Sequence, residues 1–372
     1  MTAQTRLPLI QRIEKTRGSK VICYLTTLRT GLVGAMADDA VRHFFDHLAL
    51  LGSRPVEKLD VYLVSNGGSG TVPWRIVPLL REYTKHLGVI LPYRAYSAAS
   101  LLALGADEIV MHPFAEMGPI DPTVSNEFNP KDEQTHQRLG ISVEDVVAYV
   151  NFIKETVGIR HEDELVKAIE ILADKVHPLA IGNVERFISQ SRLIARKLLS
   201  THIKPEEDHV IDELVESLAS RLYFHGHPIN RKEAKEDLGL HTVNSDLSPD
   251  LESSIWDLYK DFEAEFGNQQ IFNPAGDLAA AAPNFIFMNP QNPTPSAEKT
   301  YSLIHVMVES ERLSCRFKTE RHYTLFRLLT QQGIQAMIQE DITSQAWQCS
   351  SVPAPAAAPA PTIPGTGGAP GA

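Results

Sequence analysis

The sequence predicts an α/β fold with a parallel sheet at its centre. Three short runs rich in β-branched and aromatic residues are typical of buried strands: KVICYLT, LDVYLVS and VILPYRA. Amphipathic segments of helical period separate them, of which ADDAVRHFFDHLALL is the clearest. Strands that alternate with helices pair in parallel through right-handed crossovers, so this order predicts an α/β core.

The predicted elements follow one another closely in the first third of the chain. The first strand covers residues 20–26, and the second ends at Ser65, where it leads directly into NGGSG. A helix from about Val72 to His86 comes next, then the third strand and a helix that begins near Ser97. After these elements the pattern becomes mainly helical, through ISVEDVVAYVNFIKETVG and a long amphipathic stretch beyond it.

The charge and the apolar content exclude several classes of function. The formal net charge of −11 argues against a nucleic acid partner, because such binding depends on basic groups that neutralise phosphates. The first twenty residues contain no apolar stretch typical of a secretory signal, and no apolar run approaches the roughly 18 residues of a membrane-spanning helix. We therefore expect a soluble, cytoplasmic protein without a membrane-spanning segment.

The three cysteines indicate neither a disulfide framework nor a zinc site. Cys23, Cys315 and Cys349 are odd in number, far apart in sequence and without the spacing of metal ligands. We accordingly expect reduced thiols, no bound metal and no other cofactor.

Two segments of small residues carry the chemistry. In YLVSNGGSG a strand ends in consecutive glycines just before a helix, where backbone N–H groups can face a ligand without interference from a Cβ atom. In AYSAASLLALGADEIVMHPFAEMGPIDP, small residues lead from a strand into a helix and leave room beside Ser100 for a substrate carbonyl group.

The two segments together resemble the Clp peptidase and signal peptide peptidase superfamily, and most closely its serine dehydrogenase proteinase family. The resemblance covers about residues 20–243 and includes the later FHGHPINRKEAKEDLGL. It implies a ClpP/crotonase-like superfold of repeated β-β-α units with a helical extension and a small C-terminal appendage. It also implies assembly into a homo-oligomer.

The same resemblance assigns most of the active site. The last serine of the AAS triplet is the implied nucleophile, which is Ser100 here. The implied oxyanion hole consists of the backbone N–H groups of Gly68 and Leu101, with Gly67 and Ser69 beside them in contact with substrate. Two preorganised N–H donors stabilise a developing oxyanion without requiring any particular side chain.

The general base is the open part of this assignment. Clp peptidases carry a histidine shortly after the nucleophile, but alignment on Pro122 of GPIDP puts Ile120 at that position. Signal peptide peptidases use a lysine several tens of residues beyond the serine, which works when burial lowers the pKa of the amine. Lys154 lies at about that separation, and Lys131 is the alternative. Three histidines remain as further candidates: His177, His225 and His227.

These observations predict an ATP-independent serine peptidase that hydrolyses peptides or proteins. One alternative is a catalytically silent ClpP-like scaffold that binds a partner through its C-terminal appendage. A crotonase-like acyl-CoA enzyme would share the paired N–H groups, although the serine motif and GPIDP speak against it.

The predicted organisation is an N-terminal extension, the peptidase domain, a helical piece with a Pro/Ala/Asn-rich linker, a small α/β appendage and a disordered Pro/Ala/Gly-rich tail, with bounds 1–19, 20–246, 247–298, 299–345 and 346–372.

Overall fold

A mixed sheet flanked by helices forms the centre of the protein. The computed structural model describes residues 3–120, 123–124, 128–130, 141–221, 227–282, 295–330 and 333–353. The strands are β1 Lys20–Thr26, β2 Val56–Val64, β3 Thr84–Leu91, β4 Arg94–Ala95, β5 Glu108–Met111, β6 Glu116–Met117, β7 Thr123–Val124, β8 Ile141–Ser142, β9 Ile229–Asn230, β10 Val243–Asn244, β11 Ala297–Glu309, β12 Leu313–Thr330 and β13 Gly333–Ser351.

Helices account for much of the remaining chain. The α-helices are α1 Ala3–Arg17, α2 Asp39–Ala49, α3 Val72–Arg81, α4 Ala98–Leu104, α5 Val143–Asn151, α6 Glu162–Lys175, α7 Pro178–Leu199, α8 Asp208–Glu216, α9 Pro249–Phe266 and α10 Pro274–Ala281. Short π-helical segments cover Phe152–Thr156, Ser217–Arg221 and Glu233–Asp237. Within the described residues, no helix combines the length and the hydropathy needed to cross a bilayer.

The large sheet has the strand order β10-β5-β3-β2-β1-β11-β12-β13. The first five strands are parallel, whereas β11 pairs antiparallel with β1 and starts an antiparallel half. Six of the seven residues of β1 are buried, as expected for a parallel strand covered on both faces. The predicted α/β class with a large sheet is therefore confirmed.

Helices cover both faces of the parallel half. One face packs against α2, α3, α4, α7 and α8 in a core that includes Phe44, Ile76 and Leu198. The other face packs against α1 and α9, with Ile13 and Phe262 fully buried between them. This two-sided burial explains why the strand sequences are continuous apolar runs rather than alternating ones.

A buried arginine joins the N-terminal helix to the sheet. Arg6 of α1 has no exposed surface, and its Nε and Nη2 atoms donate to the two carboxylate oxygens of Glu309 at 2.6 and 2.8 Å. Its Nη1 atom also donates to Asp261 of α9 at 2.8 Å. Since a bidentate pair of this kind satisfies both charges, the burial of Arg6 and Glu309 is compensated.

The C-terminal region differs from the sequence-based expectation. The pattern of TLFRLLT in the predicted appendage indicates a helix, but this segment lies in β12. Residues 346–351, assigned to the tail, lie in β13. The ladder between these two strands pairs large side chains such as Phe317 and Trp347, and this cross-strand packing outweighs the local helical spacing. Residues 354–372 lie outside the described part of the chain.

The helix predicted over 72–86 is shorter in the structure, where it covers Val72–Arg81, because Thr84 already begins β3.

The expectation that the cysteines form no disulfide is wrong. Cys315 and Cys349 lie opposite each other on β12 and β13 and are joined by a disulfide bond. They are 34 residues apart in sequence, and only the register of the hairpin brings them together. Cys23 is a buried free thiol.

Candidate active site

The segments that follow β2 and β4 lie side by side at the carboxyl ends of these two strands. Ser65, directly after β2, donates its backbone N–H to Arg94 O at 2.9 Å, and its carbonyl oxygen accepts from Tyr96 N at 2.9 Å. The hydroxyl of Ser65 accepts from Gly67 N at 3.0 Å and thereby fixes the turn. These bonds hold NGGSG against the segment that connects β4 to α4.

The two consecutive glycines permit this close approach. Gly67 has a φ of +96°, and a Cβ atom on it would lie 2.7 Å from Tyr96 O and 2.9 Å from Ser97 Cβ. Gly68 has a φ of +152°, and a Cβ atom there would lie 2.3 Å from Met36 O. A side chain at either position would collide with neighbouring atoms, so the glycines place bare backbone beside Ser97.

Ser97 occupies a sharp turn between a strand and a helix. Its φ is +53° and its ψ is −117°, a conformation that costs free energy in a residue with a Cβ atom. It is the residue immediately before α4, and its side chain is partly exposed, whereas Ala98 and Ala99 after it are buried. A strained serine at a strand-to-helix turn is the arrangement by which hydrolases present a nucleophilic hydroxyl.

Ser97 lines a cavity of about 230 Å³. One wall is the glycine loop and the start of α4, and the opposite wall is the face of α7 that carries Phe187, Ser191 and Ile194. The described lining residues include no charged side chain and no cluster of three metal-ligating groups. They are Gly68, Ser69, Gly70, Thr71, Ser97, Leu101, Ile120, Phe187, Gln190, Ser191 and Ile194.

Two backbone N–H groups near Ser97 are suited to bind an oxyanion. Met36 donates to Gly67 O at 2.8 Å and accepts from Ser69 N at 2.9 Å, so the N–H of Gly68 between them faces away from Met36. Ala98 is the first residue of α4, where a backbone N–H has no acceptor within the helix. The first turn of a helix also carries partial positive charge, which favours an anion there.

The structure places the predicted nucleophile Ser100 inside the core. It is 0% exposed, and its hydroxyl lies 2.7 Å from both Ala95 O and Gly118 O and accepts from Gly118 N at 3.2 Å. The predicted oxyanion donor Leu101 is also engaged, because its N–H donates to Ser97 O at 3.1 Å. Both assignments are therefore revised: a hydroxyl with these buried partners stabilises the turn rather than facing a substrate.

The other predicted site residues are distributed as follows. Gly68 and Ser69 line the cavity, whereas Gly67, which was predicted to contact substrate, is not among its described lining residues. Lys154 is exposed on a π-helical segment and lines a different groove with Tyr149, and Lys131 lies outside the described residues.

None of the three candidate histidines is among the described residues of the cavity wall. His177 is the N-cap residue that precedes α7, and its Nδ1 atom accepts from Leu179 N at 3.2 Å. The Nε2 atom of His227 lies 2.7 Å from Glu233, and His225 lies outside the described residues.

The sequence pattern did not distinguish Ser97 from Ser100, because these two serines flank the same pair of alanines. The choice between Ser97 and Ser100 depends on where the helix begins, and α4 begins at Ala98. The available signal was the position of Ser97 two residues after the predicted strand VILPYRA, where the predicted helix begins.

Parts of this chain are similar to known proteins. The chain is 29% identical to the uncharacterized protein MJ1495 of Methanocaldococcus jannaschii. The match covers 46% of this chain and 59% of that relative. It is 26% identical to the uncharacterized protein MJ0137 of the same organism, over 68% of this chain and 78% of the relative. A mutant of the 1510-N membrane-bound stomatin-specific protease aligns over 40% of this chain and 69% of its own, with 17% identity and a TM-score of 0.25. The predicted family is confirmed for the N-terminal part of the chain, since residues 1–145 match the family described as ClpP-like SDH-type serine proteinase.

Proposed function

We propose that this protein is a serine peptidase whose nucleophile is Ser97. The observation that carries the proposal is the strained conformation of Ser97 in the wall of a cavity that Gly68 also lines. The match of residues 1–145 to a serine proteinase family supports the same reaction class.

The reaction follows from the geometry of these groups. Ser97 Oγ attacks the carbonyl carbon of the scissile peptide, and a base accepts its proton. The negative oxygen of the tetrahedral intermediate accepts hydrogen bonds from the N–H groups of Gly68 and Ala98. The leaving amine takes a proton, and water then hydrolyses the acyl-serine to regenerate the enzyme. The described part of the cavity wall carries no charged side chain and includes Phe187 and Ile194, which favours a substrate with a neutral, apolar side chain.

The general base is proposed to be a lysine. Between the two candidates we favour Lys131, because Lys154 is exposed and lines a separate groove. A lysine base depends on a buried environment that supplies the neutral amine.

Several broader features remain proposals. They are the ClpP/crotonase-like superfold of β-β-α units, the division into domains at residues 20, 247 and 299, ATP independence, and a homo-oligomeric state. Sedimentation at micromolar concentration tests the last of these, and a single species of 41.2 kDa would contradict it.

Hydrolysis of casein and of fluorogenic peptides by the parent protein and by Ser97→Ala tests the function. We expect the variant to lose turnover by a factor on the order of a million, because the nucleophile and its base act as one unit. Ser253→Ala, an exposed position on α9, is the control and is expected to cleave like the parent. Equal cleavage by Ser97→Ala would contradict the assignment, and a parent protein without hydrolysis would favour the silent scaffold.

A further inference from the structure

A second cluster of reactive side chains lies where α2 meets the hairpin of β12 and β13. Cys315 and Cys349 are joined by a disulfide bond between the two strands. The Nδ1 atom of His43 on α2 lies 3.5 Å from Cys349 Sγ. One ligand atom from each of the three residues lies within 4.8 Å of the other two.

The imidazole of His43 is held at this position by its neighbours. Its ring packs on the indole of Trp347, with centroids 4.1 Å apart. The indole in turn donates from Nε1 to Asp39 Oδ2 at 2.7 Å, and Asp39 lies one helical turn before His43. Because Trp347 and Cys349 are two residues apart on β13, they lie on the same face of the strand. The contact between imidazole and sulfur is thus part of a packed interface.

We propose that reduction of the Cys315–Cys349 disulfide creates a Zn²⁺ site formed by the two thiolates and His43 Nδ1. A dithiol reductant supplies two electrons and two protons, so the S–S bond breaks, two thiols form and the reductant leaves as its own disulfide. Zinc then displaces the two thiol protons into solvent as it binds. Exchange with a disulfide compound reverses both steps and releases the metal.

The distance between the histidine and the exposed cysteine fits this ligand set. Zinc bonds of about 2.3 Å to sulfur and about 2.0 Å to nitrogen place neighbouring ligand atoms roughly 3.5 Å apart in a tetrahedron. The distance from Cys349 Sγ to His43 Nδ1 already has this value. Cys315 is fully buried and Cys349 is exposed, so Cys349 has room to move when the bond is broken. The exposed side leaves the fourth position to water.

The oxidation state of the two cysteines therefore decides whether a metal ion connects the hairpin to α2. In the oxidised protein the two sulfurs bind each other, and His43 contacts Cys349 without a covalent bond. In the reduced protein the metal joins α2 directly to both strands. This inference does not depend on the assignment of Ser97, because the cluster shares no residue with the described wall of the cavity.

Cobalt titration of the full-length protein tests the site. Protein reduced with a phosphine and kept anaerobic is expected to bind one Co²⁺ per chain. The complex should show the visible absorption typical of tetrahedral cobalt and, in addition, a thiolate charge-transfer band. Zinc should abolish both absorption signals by displacing the cobalt. Protein oxidised with diamide is expected to show neither band, because its sulfurs are bonded to each other.

Two variants distinguish a built site from adventitious binding to thiols. His43→Ala retains both cysteines, and we expect its cobalt affinity to fall by more than about tenfold. Even the loss of a residue that only hydrogen-bonds to a metal ligand typically lowers metal affinity by that factor. Cys23→Ser removes the remaining thiol and should leave the titration unchanged. Circular dichroism and a thiol count confirm that each sample is folded and reduced. A folded, reduced parent without the charge-transfer band, equal binding by oxidised protein, or unchanged affinity in His43→Ala would overturn the proposal.

Discussion

The backbone N–H of Leu101 donates to the carbonyl oxygen of Ser97 at 3.1 Å, which fixes Ser97 as the residue before the first turn of α4. The bond engages Leu101 within the helix and leaves Ala98 as the N–H donor adjacent to the Ser97 hydroxyl. One hydrogen bond thus changes both the nucleophile and the oxyanion donor inferred for this site.

Ser100→Ala should lower stability and leave the chemistry of the folded protein intact. The substitution removes a buried hydroxyl that bonds to the backbone of Ala95 and Gly118, so we expect a loss of about 1–3 kcal/mol in the free energy of unfolding. Urea denaturation measures this loss, and Ser253→Ala should stay within about 0.5 kcal/mol of the parent. Complete loss of hydrolysis by folded Ser100→Ala would instead restore it as the nucleophile.

Gly68→Ala should reduce turnover more than it reduces substrate binding. Its Cβ atom would lie 2.3 Å from Met36 O, so the loop must shift and its N–H must leave the oxyanion position. Loss of one such donor lowers kcat by a factor of about 100 to 1000. Gly52→Ala is the control, because a Cβ atom there meets nothing within 4 Å. Steady-state kinetics of both variants give kcat and KM separately. An unchanged kcat in Gly68→Ala would argue against Gly68 as a donor in the proposed oxyanion hole.

The two lysine candidates should behave differently. Lys154→Ala is expected to retain peptide hydrolysis, since the side chain is exposed and lines a groove apart from the cavity. Lys131→Ala should approach the loss expected for Ser97→Ala, because a nucleophile and its base act as one unit. Single-turnover assays at neutral pH compare the two, and a large loss in Lys154→Ala alone would assign the base to that residue.

Arg6→Ala should destabilise the fold strongly although the residue lies near the start of the chain. Removal of the guanidinium leaves the carboxylate of Glu309, which is 0% exposed, without its bidentate partner. The expected cost in the free energy of unfolding is about 3–5 kcal/mol. Arg12→Ala removes an exposed side chain of the same helix that pairs with Asp250, and this variant should change the free energy of unfolding little. Equal denaturation midpoints for the two variants would contradict this view of the Arg6 network.

The sequence was sufficient for features that depend on local pattern. The apolar run of β1 and the consecutive glycines at Gly67 and Gly68 were recognisable because their residue types serve strands and close backbone contacts directly. Features that depend on register were not recognisable. Cys315 and Cys349 meet only through the pairing of two long strands, and Arg6 finds Glu309 only after distant elements have packed.

Labelling with a fluorophosphonate probe, followed by fragmentation mass spectrometry of the modified peptide, identifies the nucleophilic serine. We predict a single adduct on Ser97, no adduct in Ser97→Ala, and labelling at the parent rate in folded Ser100→Ala. An adduct on Ser100, or a Ser97→Ala variant that is labelled like the parent, would contradict the assignment of Ser97 as the nucleophile.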